Sequence, residues 1–481
     1  MLTLINTNRM TPPIGPIGLD YIAASVRQAG IDVEILDLGL ADDPTKLIKE
    51  HFSVGQADLV GLSFRNADDS FWPSADWFVP GLRNAVKTIR SMTDVPIVIG
   101  GVGFSIFAKS IVEYTDADFG ICGDGEFAII SLIRQLQGTR NFAEVPGLIW
   151  KENNTVNNNP PSWPDSIRLG TARVFVDNPS YFKQGGQCGL ETKRGCNRNC
   201  IYCADPLAKG GKLRLRNPSE VADEVQSLLL QGIDVLHFCD SEFNVPRSHA
   251  YAVCEEFNRR SLGNKIRWYV YMSPTPFDAD LANAMAQAGC IGIDFTGDSG
   301  CESMLRIYSQ QHGREDLAAA VKLCRLNNIA VMIDLLLGGP GETPQTVRET
   351  IDFIKKINPD CAGAALGVRV YPRTAMEKIV TEELREEDDS HIRRKYSGPI
   401  NLFKPTFYIS KALGERPAEL VRDLIGGDQR FFEPAVETNN EATESSDAAN
   451  YNYNENLLLT QAIQKGARGA YWDILRKLRS S

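Results

Sequence analysis

No uninterrupted apolar run of about eighteen residues occurs in the 481-residue chain, so nothing in it reads as a membrane-crossing helix. Met1 leads straight into the strand-like Leu2-Thr3-Leu4-Ile5, without a basic, apolar-cored leader, and the expected location is cytoplasmic. Positive charge is in deficit: 51 Lys+Arg stand against 61 Asp+Glu, a net charge of -10. That balance opposes a surface that tracks a phosphate backbone, and no nucleic-acid partner is expected. A disulfide framework is missing as well. The cysteines number 11, and Cys254, Cys290, Cys324 and Cys361 sit singly among apolar neighbours, as reduced core thiols do. What is present is apolar mass, 43% of residues against 23% charged, enough for two or three domains with full cores.

From residue 2 to about 137, short apolar runs alternate with helical periodicity. Strands are expected at 2–6, 32–36, 58–63, 95–99 and 117–121, which makes a parallel, doubly wound sheet covered on both faces. The strand ends carry Pro12-Pro13-Ile14-Gly15, Ser63-Phe64-Arg65-Asn66, Gly100-Gly101-Val102-Gly103 and Gly123-Asp124-Gly125-Glu126. Ligands of such sheets bind beyond the carboxyl ends of strands, where glycine admits close backbone approach; singly, each loop also reads as a plain turn. The Asn- and Pro-rich stretch 151–187 reads as a connector between domain 1–150 and domain 188–380. In the latter, alternation resumes with strands expected at 189–193, 234–239, 266–271, 290–295, 329–335 and 364–370, a count that favours a complete or partial barrel. Region 381–481 opens with the acidic run Glu382–Asp389. A polar, mobile loop is expected at 437–450, and after it a helix or helix pair at 453–478 docking on the body.

The sharpest chemical signal is Gly195-Cys196-Asn197-Arg198-Asn199-Cys200-Ile201-Tyr202-Cys203. Three soft thiolates on one loop suit an iron-sulfur cluster or zinc. Structural zinc wants four protein ligands, and no further Cys or His lies within a few residues. The flanking charged and polar residues oppose a third reading, unrelated core thiols.

This Cys-x3-Cys-x2-Cys loop, with Tyr202 before its third cysteine, resembles the radical S-adenosylmethionine (SAM) superfamily. The resemblance implies a partial (β/α)6 barrel in which Cys196, Cys200 and Cys203 hold a 4Fe-4S cluster whose fourth iron is chelated by S-adenosylmethionine. It further implies that Tyr202, Asp240, Glu242, Asp298 and Gly339 surround that cofactor, and that Tyr308 is catalytic or faces substrate. Tyr269, Tyr271, Met272, Arg369, Tyr371 and Arg373 are further substrate-facing expectations, Arg369 and Arg373 as a clamp for a carboxylate or phosphate.

A doubly wound, Rossmann-like domain ahead of this motif resembles the cobalamin-binding branch of the superfamily. That implies a corrin held by Pro13, Gly15, Arg65, Asn66, Gly100, Gly101, Gly123, Gly125 and Glu126, followed by the barrel and a small, mostly helical carboxyl-terminal region. The Asp-x-His-x-x-Gly loop of many cobalamin domains is absent, His51 being the only histidine before residue 150. Arg65 is the residue expected beneath cobalt, where a permanent cation and poor donor disfavours axial ligation. Phe64-Arg65-Asn66 and the missing histidine most resemble tryptophan 2-C-methyltransferase-like members. The implied activity is methyl transfer from S-adenosylmethionine through cobalamin to an unactivated carbon of a small molecule or peptide, with an external electron donor such as flavodoxin or ferredoxin. The same cofactors also serve rearrangement, cyclisation or oxidation, and a non-catalytic iron-sulfur or corrinoid sensor is the reading from another class.

Overall fold

The computed structural model describes residues 1–55, 57–152, 155–384, 389–435 and 452–480. The polar stretch 437–450 and positions 385–388 of the acidic run lie outside the described residues. Strands Leu2–Asn6, Val33–Asp37, Leu59–Ser63, Ile97–Gly100 and Phe119–Ile121 are parallel, with Leu2–Asn6 between Val33–Asp37 and Leu59–Ser63. Every residue of Leu2–Asn6 is buried, because helices cover both faces. Ile17–Gln28 and Gly125–Gln137 close one face with Leu19, Val26, Ile129 and Leu132; Pro44–Val54, Val79–Arg90 and Ala108–Thr115 close the other with Ile48, Val86 and Ile111. The strand order reverses at Leu2–Asn6, so the crevice for a ligand opens between the loops that follow this strand and Leu59–Ser63. Two antiparallel strands, Leu148–Glu152 and Thr155–Asn158, extend the sheet into the stretch whose composition reads as a connector.

The second sheet is parallel throughout. It runs in spatial order from Cys188–Leu190 through Val235–Phe238, Arg267–Met272, Cys290–Asp298, Ala330–Leu337 and Cys361–Leu366 to a short seventh strand, Phe431–Phe432. Its two ends do not pair, so the barrel is partial. The last of the six expected strands ends at Leu366 rather than 370, because Gly367 takes φ +102° and redirects the chain; Val368–Arg369 then joins a small antiparallel sheet with Phe407–Tyr408. Helices Leu457–Gln464 and Tyr471–Ser480 pack Leu459, Ile463, Trp472 and Leu475 against Val235, Tyr269, Met332 and Cys361. They thereby plug the end of the barrel remote from the cofactor loops. No described helix is long and apolar enough to cross a membrane.

A buried polar seam joins the two sheets' domains. The Arg173 guanidinium donates to Asp20 and to Glu224, both at 2.8 Å, and Glu224 also accepts from Tyr21 at 2.8 Å and pairs with Arg216 at 2.7 Å. Asp20 and Tyr21 come from the first helix of the amino-terminal domain, Glu224 from a barrel helix. The carboxyl ends of both sheets therefore face each other across a fixed gap.

Candidate functional site

That gap is a cavity of about 420 Å³. Gly15, Arg65, Asn66, Gly100, Gly101, Gly123, Gly125 and Glu126 line it from the amino-terminal rim, and Gly189, Glu191, Arg194, Asp205, Lys209 and Cys239 from the barrel. Gly101 needs its φ of +111° and its missing side chain, since a Cβ would come 2.5 Å from the Phe64 carbonyl oxygen. The helices Ile17–Gln28 and Gly125–Gln137 begin at this rim without a side-chain cap; in the first, the N–H groups of Ile17 and Leu19 already donate to the Gly15 and Pro16 carbonyls, both at 2.9 Å, so the start of the second is the better donor for carbonyl oxygens of a ligand. Pro13 lies off the cavity wall, with its carbonyl pressed on Gly185, where a Cβ would approach within 2.2 Å.

Arg65 points from the rim toward the barrel. Among the described residues it forms no ion pair; its guanidinium donates to Asn66 at 2.8 Å, while Asp68 is taken by Arg369 and Asp69 by Ser74. Its charge reaches the barrel residues His237, Cys239 and Tyr271. Among the described residues no histidine lines the cavity. Glu126 is paired with Arg194 at 2.8 Å; burial opposes its ionised form, yet the guanidinium outweighs burial and holds the carboxyl below its usual value.

The three cysteines stand on the loop that leaves the first barrel strand. Cys196 is buried and Cys200 and Cys203 half-buried, with all three thiols free. Burial raises each of them, Cys200 up to about 12, so the thiolate form calls for a cationic centre. Among the described residues no three His, Cys, Asp or Glu side chains converge as a single metal ion requires. A cluster that spreads its ligands over separate irons fits this spacing, whereas tetrahedral zinc does not.

Around the loop stand several buried polar groups. Glu242 accepts from the Thr296 hydroxyl at 3.1 Å with one carboxylate oxygen, while its buried Oε2 has no partner among the described residues; burial pushes this carboxyl up to about 7. The Tyr202 hydroxyl donates to Asp298 at 2.6 Å, and Gln310 bridges Asp298, Tyr202 and the Cys200 sulfur. Glu242 and its unsatisfied oxygen fit a donor such as an amino group.

Other expected residues sit elsewhere. Asp240 is turned away from the loop: it is 3% exposed and accepts from the backbone N–H of Thr192 at 2.8 Å and from Lys193 Nζ at 3.2 Å, pinning the strand end that leads to Cys196. Tyr308 is fully buried behind the loop. Its hydroxyl donates to the Leu336 carbonyl at 2.8 Å, its own carbonyl accepts from Ile201 at 3.3 Å and its ring meets Tyr202 edge-on at 5.8 Å; these contacts position the loop. Gly339 makes room for it, since a Cβ there would lie 2.2 Å from the Tyr308 hydroxyl. The expected arginine clamp does not form, because Arg369 is engaged with Asp68 at 2.9 Å and Arg373 with the Ile106 carbonyl at 2.8 Å. Tyr269 lies in the barrel plug, bonded to Asp473 at 2.7 Å. Gln310, Thr296, Asp294 and Asp334 escaped the motif reading. A signal existed in the alternation Asp294, Thr296, Asp298 along an otherwise buried parallel strand, which marks a face that is not packing against helices.

Residues 5–133 match the family model of the B12 binding domain and residues 190–354 that of the radical SAM superfamily. The tryptophan 2-C-methyltransferase of Streptomyces laurentii is 29% identical over 446 residues, covering 79% of this chain and 74% of that protein. The solved structure of the radical S-adenosylmethionine methyltransferase TsrM from Kitasatospora setae, with tryptophan substrate and the SAM analogue aza-SAM bound, matches at a TM-score of 0.90 and 30% identity, covering 100% of this chain and 97% of that one. TsrM with cobalamin and a 4Fe-4S cluster bound matches at 0.88 and 28%. The cobalamin-dependent SAM radical enzyme OxsB, at 17% identity and a TM-score of 0.70 over 85% of this chain and 64% of its own, shares the fold. The chain belongs to the radical SAM superfamily, in the branch that carries an amino-terminal B12 binding domain.

Proposed function

We propose that the protein is a cobalamin-dependent methyltransferase that moves a methyl group from S-adenosylmethionine by way of cobalamin to an unactivated carbon of a small molecule, with tryptophan as the first acceptor to test. The observation that carries this reading is the shared cavity: a glycine rim suited to a broad planar ligand opens on the same space as Asp205, Ala208 and Lys209, which stand on the short helix directly following the three-cysteine loop. When bound, the cluster anchors S-adenosylmethionine and the corrin relays its methyl group. Cys196, Cys200 and Cys203 would hold the cluster, and Glu242 would receive the methionyl amino group on its unpartnered oxygen. The uncapped start of Gly125–Gln137 would take the corrin's amide oxygens, and Arg65 would deny it a strong lower donor. The carboxyl-terminal plug keeps bulk water out of the barrel from below, and the fixed seam sets the approach of the two cofactor sites. An external one-electron donor such as flavodoxin or ferredoxin completes the reading.

The test is anaerobic reconstitution with iron, sulfide and hydroxocobalamin, reduction of the corrin by titanium(III) citrate, and addition of methyl-labelled S-adenosylmethionine and tryptophan. Label in a methylated product together with S-adenosylhomocysteine, both abolished in Cys200→Ala, is the expected result. Formation of 5'-deoxyadenosine with no label transferred from S-adenosylmethionine to any indole or corrin would overturn methyl transfer in favour of rearrangement or oxidation.

A further inference from the structure

Below the cofactor cavity the barrel lumen holds polar groups that the proposed methyl relay does not use. Along the strands, Leu236, Phe238, Val270, Met272, Ile293, Phe295, Ile333 and Leu335 pack outward under the helices. The alternate residues His237, Tyr271, Asp294 and Asp334 therefore point inward. Tyr271 stands opposite Asp294 in register, the His237 and Tyr271 rings lie 5.1 Å apart, and the charges of Asp294 and Asp334 act on one another. Tyr453, from the carboxyl-terminal segment, reaches the same group. Beneath them the lumen turns apolar and is closed by the plug.

Two facts separate this group from an ordinary buried acid pair. Asp294 is 1% exposed, yet its Oδ1 has no hydrogen-bond partner among the described residues, and neither has Asp334 Oδ1. A native core does not leave such acceptors unmatched without a reason. The countercharge is also missing: Arg65, the cation at the lumen mouth, pairs with neither carboxylate, and no third ligand makes the pair a metal site among the described residues. Tyr271 hydrogen-bonds the Asp294 carboxyl, but the two Oδ1 acceptors stay without donors among the described residues, and they ask for a ligand that brings several N–H donors and a positive charge.

We propose that Asp294 and Asp334, flanked by Tyr271 and His237, form the subsite for the protonated amino group of the methyl acceptor, which is therefore a primary ammonium compound with a planar ring. The inference rests on the methyltransferase reading and narrows its substrate class. The ammonium donates to the two free carboxylate oxygens, its charge allows both carboxylates to stay ionised, and the attached ring lies along Tyr271 toward the cofactor cavity.

The test uses the full chain loaded with cluster and corrin. Calorimetry compares tryptophan and tryptamine, which keep the ammonium, with indole-3-propionate, which lacks it, and with tryptophol, which carries a hydroxyl in its place. In the wild type the two ammonium compounds bind at least about ten-fold more tightly than the other two. Asp294→Asn and Asp334→Asn each weaken the ammonium compounds by about ten-fold or more and leave indole-3-propionate within about two-fold. Asparagine keeps the side chain's shape, and either variant carries the test if the other does not fold. Equal binding of tryptamine and tryptophol in the wild type, no binding of either ammonium compound, or indifference of tryptamine to both substitutions overturns the subsite. With the corrin first reduced by titanium(III) citrate, release of one S-adenosylhomocysteine per corrin before any acceptor is added tests the methyltransferase reading on its own. If that release fails while ammonium discrimination persists, the relay is wrong and the subsite stands; if release occurs without discrimination, the reverse holds.

Discussion

Arg65 is the residue whose substitution tests the proposed corrin site most directly. It occupies the cavity rim without a carboxylate partner among the described residues; with a corrin seated as proposed, a histidine there would donate to cobalt and a guanidinium would not. Arg65→His supplies a neutral imidazole at the same place. We expect electron paramagnetic resonance of the reduced, corrin-loaded variant to acquire nitrogen splitting that the wild type and Arg65→Lys lack; identical spectra in all three would place Arg65 away from the cobalt. The same scale shows where sequence reading stops. Asp240 and Glu242 stand two residues apart on one loop, and nothing in residue type says which is used up internally. The structure decides it by partners: Asp240 is saturated by Thr192 and Lys193, while Glu242 keeps a bare oxygen. Glu242→Gln is therefore expected to raise the Kd for S-adenosylmethionine about ten-fold or more, and Asp240→Asn to lower thermal stability first; equilibrium binding beside a melting curve separates the two.

At the scale of elements, the strands were legible because parallel strands buried on both faces are written as apolar runs. The inward face of the barrel was not, since a lone Asp in a run such as Ala330–Leu337 looks like an interruption rather than a lumen wall. Its energetic signature is testable. Burial, with the added charge of Asp298, pushes the Asp334 carboxyl up to about 7, above the 3.8 of an unfolded chain. The unfolded state thus gives up this proton first as pH rises, so Asp334 lowers stability progressively from about pH 4 to about pH 7. Asp334→Asn removes that loss. Its melting temperature relative to the wild type should be more favourable at pH 7.5 than at pH 5, and parallel curves at the two pH values would show that Asp334 does not titrate in this range.

For the whole molecule, two domains were visible from the change in pattern at residue 188, but their mutual placement was not, because the groups that fix it are scattered over the chain: Asp20, Arg173 and Glu224 carry no local motif. Their side chains are at most 1% exposed, so the seam works in a low-dielectric setting where each charge depends on its partner. Arg173→Met leaves both carboxylates buried with one cation fewer, and breaking such a pair from one side costs about 3–5 kcal/mol. Arg27→Met, removing a pair with Asp32 whose side chains are 53% and 79% exposed, should cost under about 1 kcal/mol. Because the cavity is walled by both domains, we expect the Arg173 variant to lose bound corrin over the same denaturant range in which its inter-domain contacts open, well below the wild-type midpoint, while the Arg27 variant follows the wild type. Corrin absorbance and tryptophan fluorescence recorded along one urea titration test this. Retention of corrin by the Arg173 variant after the domains have separated would mean that the amino-terminal rim alone holds the ligand, and that the barrel's Glu191, Arg194 and Lys209 merely border it.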